Sequence, residues 1–411
     1  MGVRACRLCG AQLREAFVDL GMSPLANSYL ESADLSSMEA FYPLCARVCE
    51  SCYLVQLDDV TSPERIFQDY AYFSSFSDTW LAHAQAYTAN MINRFSLGPS
   101  SMVVEVASND GYLLQYLRAE NIPVLGIEPA ANVAKAAQAK GIPTLVKFFG
   151  SATAGELAQA NTRADLLIGN NVLAHVPDLN DFVRGLALLL GPQGVITLEC
   201  PHLLRLLQGN QFDTIYHEHL CYFALLTMER LLASHKLTVF DVEHLPTHGG
   251  SLRVYACHRE DLTKPVTDAV RDVRSLEDRA GLTRIETYRR FKDQAHETKR
   301  RILEFLIRAK DRGQTIVGYG APAKGNTLLN YCGIRTDLIS FTVDRSPHKQ
   351  GRFLPGTHIP IEHPDRIREV RPDYVFILPW NLKDEIMQQL AYIREWEGHF
   401  LVPIPEPRVY G

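Results

Sequence analysis

Residues 102–117 read Met-Val-Val-Glu-Val-Ala-Ser-Asn-Asp-Gly-Tyr-Leu-Leu-Gln-Tyr-Leu, and this segment is the strongest indication of the fold class. Its first five residues are a mainly apolar run rich in valine, the next five form a small polar turn that ends at Gly111, and the remainder is amphipathic. The pattern predicts a strand, a tight turn and a helix, in that order.

Similar strand-like runs follow at 124–127, 165–169 and 195–199. The first ends at Glu128, the second is followed by Asn170, and the third comes after a predicted helix end and a glycine-rich turn. Strands that alternate with helices are typical of an α/β protein with a parallel, doubly wound sheet.

The turn after the first strand indicates the kind of cofactor. It has a single glycine, Gly111, so the GxGxxG pattern that brings a pyrophosphate close to the backbone is absent. An acidic residue after the second strand of such a sheet binds ribose hydroxyls, and Glu128 stands there. These features suit S-adenosylmethionine, which carries ribose hydroxyls and a cationic amino-acid tail. The alternative is that Glu105 and Glu128 are solvated carboxylates at strand ends.

The composition is that of an ordinary globular protein of two to three domains, with 411 residues, 22% charged residues and a net charge of -5. No apolar run approaches the roughly 18 residues of a membrane span, and the N-terminus lacks the apolar core of a secretory signal. We therefore expect a cytoplasmic protein without a membrane partner. Residues 1–60 carry four Arg, no Lys and eight acidic residues, which argues against nucleic acid.

Five of the nine cysteines lie in the first 52 residues, and four of them form two CxxC pairs. Each pair places two thiolates on one side of a tight turn, and two such turns complete a tetrahedral S4 site for zinc. The predicted ligands are Cys6, Cys9, Cys49 and Cys52, with Cys45 as a spectator. A site with four protein ligands has no open position, so the zinc is expected to be structural. Disulfides are the weaker alternative.

A cluster of four polar side chains, Tyr216-His217-Glu218-His219, is the predicted chemical centre. The two histidines are only two positions apart, so they point in opposite directions on a strand and are poorly spaced for one metal ion. General acid–base catalysis is favoured, because histidine has the pKa needed to remove a proton alpha to a ketone near pH 7. A metal site and an exposed polar loop remain as alternatives.

In the C-terminal third, residues 271–312 have apolar residues every three to four positions and predict one or two long amphipathic helices. A strand at 315–320, a turn of small residues and a helix that begins near Lys324 follow. This arrangement is a common anion site. The pair Gly318 and Gly320, with Asp344 beyond it, also leaves a dinucleotide site open.

Taken together, the chain resembles the class I S-adenosylmethionine-dependent methyltransferases. Over nearly its whole length it is similar to the sugar C-methyltransferases that act on nucleotide-linked 4-keto-6-deoxysugars, which have an N-terminal zinc-binding domain. Besides the CxxC pairs, the motifs that carry this resemblance are 70–75 (Tyr-Ala-Tyr-Phe-Ser-Ser), 105–111, 170–175 (Asn-Asn-Val-Leu-Ala-His), 216–219, 248–253 (His-Gly-Gly-Ser-Leu-Arg) and 320–326 (Gly-Ala-Pro-Ala-Lys-Gly-Asn).

The resemblance implies three domains: a zinc-binding domain over 1–75, a methyltransferase domain over 76–262, and an α/β nucleotide-sugar-binding domain over 263–411. It implies methylation at C3 of the sugar, with dTDP or GDP as the nucleotide. The expected catalytic residues are His219 as the base, with Tyr216, Glu218 and His175. Those expected to bind the cofactor are Glu105, Ala107, Asn109, Asp110, Gly111, Glu128 and Asn170. Those expected at the substrate are Tyr70, Gly320, Lys324 and Asn326.

Two other functions compete with this one. A nucleotide-sugar oxidoreductase or epimerase would use the C-terminal glycine turn, and a zinc-containing scaffold would bind a partner without catalysis. The nucleotide, the substituent at C3 and the oligomeric state are left open by the sequence, as is the role of His217.

Overall fold

The computed structural model describes residues 5–58, 73–76 and 78–411, which contain three β-sheets. The motif at 70–75 therefore lies partly outside the described residues, and Tyr70 lies wholly outside them. The first sheet is antiparallel and consists of β1 (Glu15–Ser23), β2 (Tyr42–Val48), β3 (Val55–Leu57) and β9 (Cys221–Tyr222). Strand β9 comes from the middle of the chain and pairs with β3, so this N-terminal sheet is completed by the central region.

The central sheet has seven strands in the order β10-β11-β8-β7-β4-β5-β6. Strands β4 to β8 are parallel, whereas β11 pairs antiparallel with β8 and β10 antiparallel with β11. The strands are β4 (Val103–Val106), β5 (Val124–Ile127), β6 (Thr144–Leu145), β7 (Ala164–Asn170), β8 (Leu190–Pro201), β10 (Leu237–Leu245) and β11 (Ser251–His258). The predicted doubly wound α/β architecture is confirmed.

Helices of this region are α1 (Asp78–Phe95), α2 (Leu114–Ala119), α3 (Ala131–Ala139), α4 (Ser151–Gln159), α5 (Leu179–Leu189), α6 (Leu203–Gln208) and α7 (Leu225–Ser234). Strand β8 begins earlier than the predicted strand at 195–199. Its glycines explain the difference, because a Cβ on Gly194 would lie 2.5 Å from the carbonyl oxygen of Ala164, so only glycine lets β8 continue there beside β7.

The C-terminal sheet has six strands in the order β14-β13-β12-β15-β16-β17, of which only β17 is antiparallel to its neighbour. They are β12 (Ile316–Tyr319), β13 (Thr342–Val343), β14 (Ile361–Glu362), β15 (Tyr374–Ile377), β16 (His399–Val402) and β17 (Arg408–Tyr410). The helices are α8 (Asp268–Arg279), α9 (Ile285–Arg289), α10 (Phe291–Asp311), α11 (Ala323–Cys332), α12 (Arg366–Val370) and α13 (Lys383–Gln389). The amphipathic pattern at 271–312 thus corresponds to α8, α9 and α10.

The N-terminal sheet packs against both larger regions. Phe17 on β1 stacks on Phe291 of α10, with ring centroids 4.6 Å apart, and the two belong to the same core as the C-terminal strands. Cys49 and Leu54, by contrast, belong to the core of the central sheet. The N-terminal module therefore lies between the two α/β units and contributes to the core of each.

Helix α8 packs on the central sheet, although it follows the predicted domain boundary at residue 262. Its Val270 and Val273 belong to the core of β10 and β11, and the carboxylate of Glu277 accepts hydrogen bonds from the backbone N–H groups of Leu225 and Leu226, 2.6 and 3.0 Å away. The three predicted domain ranges themselves stay predictions.

Candidate active site

The turn after β4 has an unusual backbone. Ala107 (φ 57°), Asn109 (φ 50°) and Gly111 (φ 76°) all adopt left-handed conformations, which are uncommon for residues other than glycine. A Cβ on Gly111 would come within 2.9 Å of Ile142 Cγ1, so the close packing of the turn needs glycine at this position. Such strain is found where a backbone is shaped for a ligand, and it lies at the carboxyl end of β4, where α/β sheets bind their ligands.

Glu128, directly after β5, is fixed against this turn. Its two carboxylate oxygens accept hydrogen bonds from the backbone N–H groups of Asn109 (3.0 Å) and Ala130 (2.9 Å). Burial raises the pKa of Glu128 above its usual value, while the two N–H groups oppose that shift. Each oxygen keeps a lone pair that can accept a hydroxyl proton.

Glu105 is inaccessible to solvent, and burial raises its pKa well above the usual range. Burial also raises the pKa of the neighbouring Tyr112, and among the described residues neither carboxylate oxygen of Glu105 has a hydrogen-bond partner. Asn170 lies close by, at the end of β7. The alternative in which Glu105 and Glu128 are solvated strand-end carboxylates is wrong, because their exposed fractions are 0% and 4%.

Asp110 forms an ion pair with Lys140, at 3.1 Å, and the same ammonium group donates to Ser75 Oγ at 2.8 Å. The backbone N–H of Ser74 donates to Asn109 Oδ1 at 2.8 Å. The short segment 73–76 therefore lies against the turn after β4.

His219 is the best-defined base of the 216–219 cluster. Its Nδ1 lies 3.1 Å from the carbonyl oxygen of Thr214, which can only accept, so Nδ1 carries the proton. The other nitrogen, Nε2, is then an acceptor and lies 2.7 Å from the hydroxyl of Tyr216. Burial lowers the pKa of His219 well below its usual value, and the nearby His175, His248 and Lys324 lower it further. The ring is thus a neutral imidazole with a fixed tautomer.

His175 lies beside His219, with ring centroids 4.9 Å apart. It interacts with the backbone carbonyl of Glu218, and burial lowers the pKa of His175 to about 4. The carboxylate of Glu218 accepts a hydrogen bond from Asn27 Nδ2 at 2.7 Å, and burial raises the pKa of Glu218 to about 7. The predicted set of Tyr216, Glu218, His219 and His175 is brought together.

His217 points away from this group. One of its ring nitrogens lies 3.2 Å from the carbonyl oxygen of Pro43, and its ring packs near Tyr42. His217 and Glu218 are only 3% and 7% exposed, so the exposed-loop alternative is wrong. Among the described residues, the one group of three or more possible metal ligands is formed by cysteines, and it lies apart from 216–219.

Lys324, at the start of α11, approaches the histidines from the C-terminal unit. Its ammonium group donates to Asn381 Oδ1 and lies 4.5 Å from the ring centroid of Trp380. Burial lowers the pKa of Lys324 to about 8, and Asp213 opposes the shift. Trp380 in turn donates from Nε1 to Asp213 Oδ2 at 2.6 Å. Lys324 is thus a partly desolvated cation near His219.

Gly320 and Asn326 flank Lys324 on the same turn and helix. Gly320 (φ 85°) directly follows β12, and a Cβ there would lie 2.6 Å from Pro379 Cδ, so the glycine is needed for packing. Asn326 is 1% exposed, and among the described residues its Nδ2 has no hydrogen-bond partner. A buried amide donor of this kind is available to a ligand.

The four predicted zinc ligands meet at one point. Their sulfur atoms all lie within 4.8 Å of one another, and the pairs Cys6–Cys52 and Cys9–Cys49 are 3.5 Å apart. Four thiolates about 2.3 Å from a tetrahedral zinc ion are separated by about 3.8 Å, so the cluster fits the metal. None of the nine cysteines, all of which lie in the described residues, forms a disulfide. Gln56 Nε2 donates to Cys6 Sγ at 3.2 Å and orients it.

Several residues of the site were not predicted individually. Asn27, Asp213 and Trp380 lie in no recognised motif, and each meets the site through a contact more than 160 residues away in the chain. His248 belongs to a quoted motif but had no assigned role; its Nε2 lies 3.3 Å from Asn171 Nδ2. A single sequence gives no signal for such pairs.

Three family models match the chain in series: a zinc binding domain over residues 6–67, a methyltransferase domain over 80–242, and a C-methyltransferase C-terminal domain over 246–405. A curated relative, the C-methyltransferase NovU of Streptomyces niveus, is 36% identical over 404 residues, which is 98% of this chain and 96% of NovU.

Solved structures of methyltransferases match part of the chain. Magnesium protoporphyrin IX methyltransferase ChlM from Synechocystis PCC 6803, with bound SAH, has a TM-score of 0.36 and 17% identity over 47% of this chain and 92% of its own. The CcbJ methyltransferase from Streptomyces caelestis has a TM-score of 0.33 and 12% identity over 43% and 88%. Among the described residues, no helix combines the length and apolarity required to cross a bilayer.

Proposed function

The chain belongs to the S-adenosylmethionine-dependent C-methyltransferases, with a structural zinc site, and from that premise we propose that it methylates C3 of a nucleotide-linked 4-keto-6-deoxysugar in deoxysugar biosynthesis. The observation that carries the proposal is the neutral, buried imidazole of His219, whose tautomer is set by Thr214. The unprotonated Nε2 of this imidazole can accept a proton from a carbon next to a ketone. Similarity to C-methyltransferases over nearly the whole chain argues against the oxidoreductase and scaffold alternatives.

S-adenosylmethionine supplies an electrophilic methyl group. On this proposal Glu128 accepts hydrogen bonds from the ribose hydroxyls of the cofactor. The rest of the cofactor is bound by Glu105, Asn170 and the turn residues Ala107, Asn109, Asp110 and Gly111. The burial of Glu105 supports this arrangement. A cationic group of the cofactor beside Glu105 would lower the raised pKa of Glu105 and stabilise its carboxylate.

The sugar substrate first displaces the hydroxyl of Tyr216 from Nε2 of His219. His219 then accepts the proton from C3 of the sugar on this nitrogen. The negative charge that develops on the 4-keto oxygen needs a hydrogen-bond donor or a cation, and Lys324 is the group placed to provide one. His175 is a neutral imidazole whose N–H is directed to the carbonyl oxygen of Glu218, so it lines the site beside His219. An anionic diphosphate bound near Lys324 would also offset the positive charge that lowers the pKa of His219. Substrate binding would then make His219 a stronger base.

The nucleotide is assigned to the C-terminal unit. A cavity of about 380 Å³ lies beside the carboxyl ends of β12, β13 and β14, with Tyr319, Arg345, His363, Arg368 and Tyr392 in its lining. Two guanidinium groups and two aromatic rings suit a nucleoside phosphate. Gly320, Lys324 and Asn326 on the adjoining turn would then meet the diphosphate or the sugar. Tyr70, outside the described residues, stays a predicted substrate contact.

Incubation with S-adenosylmethionine and a panel of dTDP- and GDP-linked sugars tests the proposal. We expect mass spectrometry to detect one added methyl on 4-keto-6-deoxysugars, at C3 by NMR, and none on the matched 4-hydroxy sugars. Methylation of the 4-hydroxy sugars, or attachment of the methyl to oxygen, would contradict it.

Glu128→Gln is expected to weaken binding of S-adenosylhomocysteine by about 10-fold to 100-fold, because one carboxylate oxygen becomes an amide donor that faces a backbone N–H group. Isothermal titration calorimetry measures the change. Glu120→Gln, on the exposed end of α2, is the control and should bind as wild type does. Equal affinity of both variants would remove Glu128 from the cofactor site.

A further inference from the structure

A segment of the N-terminal module reaches the catalytic cluster. Asn27 and Tyr29 lie in the connection between β1 and β2, and Asn27 Nδ2 donates to Glu218 Oε1 at 2.7 Å. The hydroxyl of Tyr29 donates to the carbonyl oxygen of Ala321 at 2.6 Å and lies 3.4 Å from Asn27 Oδ1. One short segment therefore contacts both the 216–219 cluster, through Glu218, and the turn that precedes Lys324, through Ala321.

The contact to Glu218 is the important one. In the part of the chain that the structure describes, Asn27 is the one hydrogen-bond donor to this carboxylate, which is only 7% exposed. The peptide of Glu218 directly precedes His219, and its carbonyl oxygen interacts with His175. A change at Glu218 that moves its backbone would therefore disturb both histidines.

The segment is also anchored on its far side. The backbone groups of Leu30 and Phe353 exchange two hydrogen bonds, of 3.0 and 2.9 Å. Glu39 accepts from the backbone N–H of Gly356 at 2.7 Å and pairs with His358 at 3.0 Å. The position of Asn27 is therefore set jointly by the zinc-binding module and the C-terminal unit.

We propose that Asn27 is a positioning residue for methyl transfer: its amide fixes the side chain of Glu218, the residue that directly precedes His219, and couples the zinc-binding module to the acceptor site. The catalytic part of this inference rests on the proposed function. The hydrogen bond favours the ionised form of Glu218 against the effect of burial. Besides Asn27, the polar groups that face Glu218 are Tyr29, with Lys349 and Asp344 behind it, and His175, which interacts with the backbone carbonyl of Glu218.

Asn27→Ala is expected to lower kcat at pH 7 by about tenfold or more, since the Glu218 carboxylate loses its donor. The pH at which ionisation of Glu218 changes the rate should also rise. Ser28→Ala, an exposed neighbour on the same segment, is the control and should leave the rate and the profile unchanged. An unchanged pH profile in Asn27→Ala would overturn the catalytic part of the proposal.

A second readout needs no acceptor and so separates this inference from the proposed function. Loss of a donor to ionised Glu218 should lower the urea midpoint of Asn27→Ala more at pH 8 than at pH 6, because Glu218 is ionised mainly above pH 7. In a Glu218→Gln background this pH dependence should vanish. If wild type methylates no sugar but the pH-dependent difference is present, the proposed function fails and the Asn27–Glu218 contact stands. An equal loss at both pH values in both backgrounds overturns the inference.

Discussion

His219→Asn should lower the rate of methyl transfer by at least about 100-fold, the usual effect of removing a general base. Asparagine has no nitrogen that can accept the proton from C3, whereas the imidazole presents an unprotonated Nε2 because Nδ1 is committed to Thr214. Single-turnover methylation of the acceptor measures the loss.

His217→Asn is the matched control for this experiment. His217 lies two positions away but contacts Pro43 and Tyr42 instead of the cluster, so its replacement should keep the rate within about tenfold of wild type. Calorimetric binding of S-adenosylhomocysteine establishes that each variant is folded. A His219→Asn enzyme that binds this ligand and turns over within tenfold of wild type would make His219 a bystander.

Cys49→Ser should have the largest effect on stability. Cys49 is fully buried in the S4 cluster, and structural zinc contributes on the order of 10 kcal/mol or more to the folding of small zinc domains. Since the N-terminal module shares a core with both α/β units, its loss should also lower methyl transfer by more than tenfold. Zinc content by atomic absorption, the thermal midpoint and the methylation rate should all fall.

Cys45→Ser is the control for the zinc prediction. Cys45 lies on β2 near the cluster in sequence but is not one of its four members, so zinc content and rate should stay as in wild type. A Cys49→Ser protein with normal zinc content and midpoint would contradict the structural role of the site.

Much of the fold follows from local patterns. The run Val103–Val106 is mainly apolar and fully buried, the turn ends at a glycine with positive φ, and the helices of 271–312 follow their apolar spacing. The two CxxC pairs predict the S4 cluster because four nearby thiolates are sufficient to bind a tetrahedral zinc ion. Such features depend on residues a few positions apart, or on one strong chemical preference.

The rest depends on tertiary packing. Nothing in Cys221–Tyr222 indicates that these residues pair with β3 in the N-terminal sheet, and nothing in Asn27 indicates a contact with Glu218, 191 positions away. Whether Glu105 is solvated or buried likewise depends on how α/β layers cover the strand. Contacts of this kind are fixed only when the three sheets assemble.

In the proposed reaction, His219 removes a proton from C3 of a 4-keto sugar. The most direct test is deuterium exchange at C3 in D2O, with S-adenosylhomocysteine in place of the methyl donor, followed by NMR or mass spectrometry. We predict that wild type exchanges this hydrogen and that His219→Asn does so at least about 100-fold more slowly. Equal exchange by the two proteins, with both shown to bind the sugar, would contradict the account.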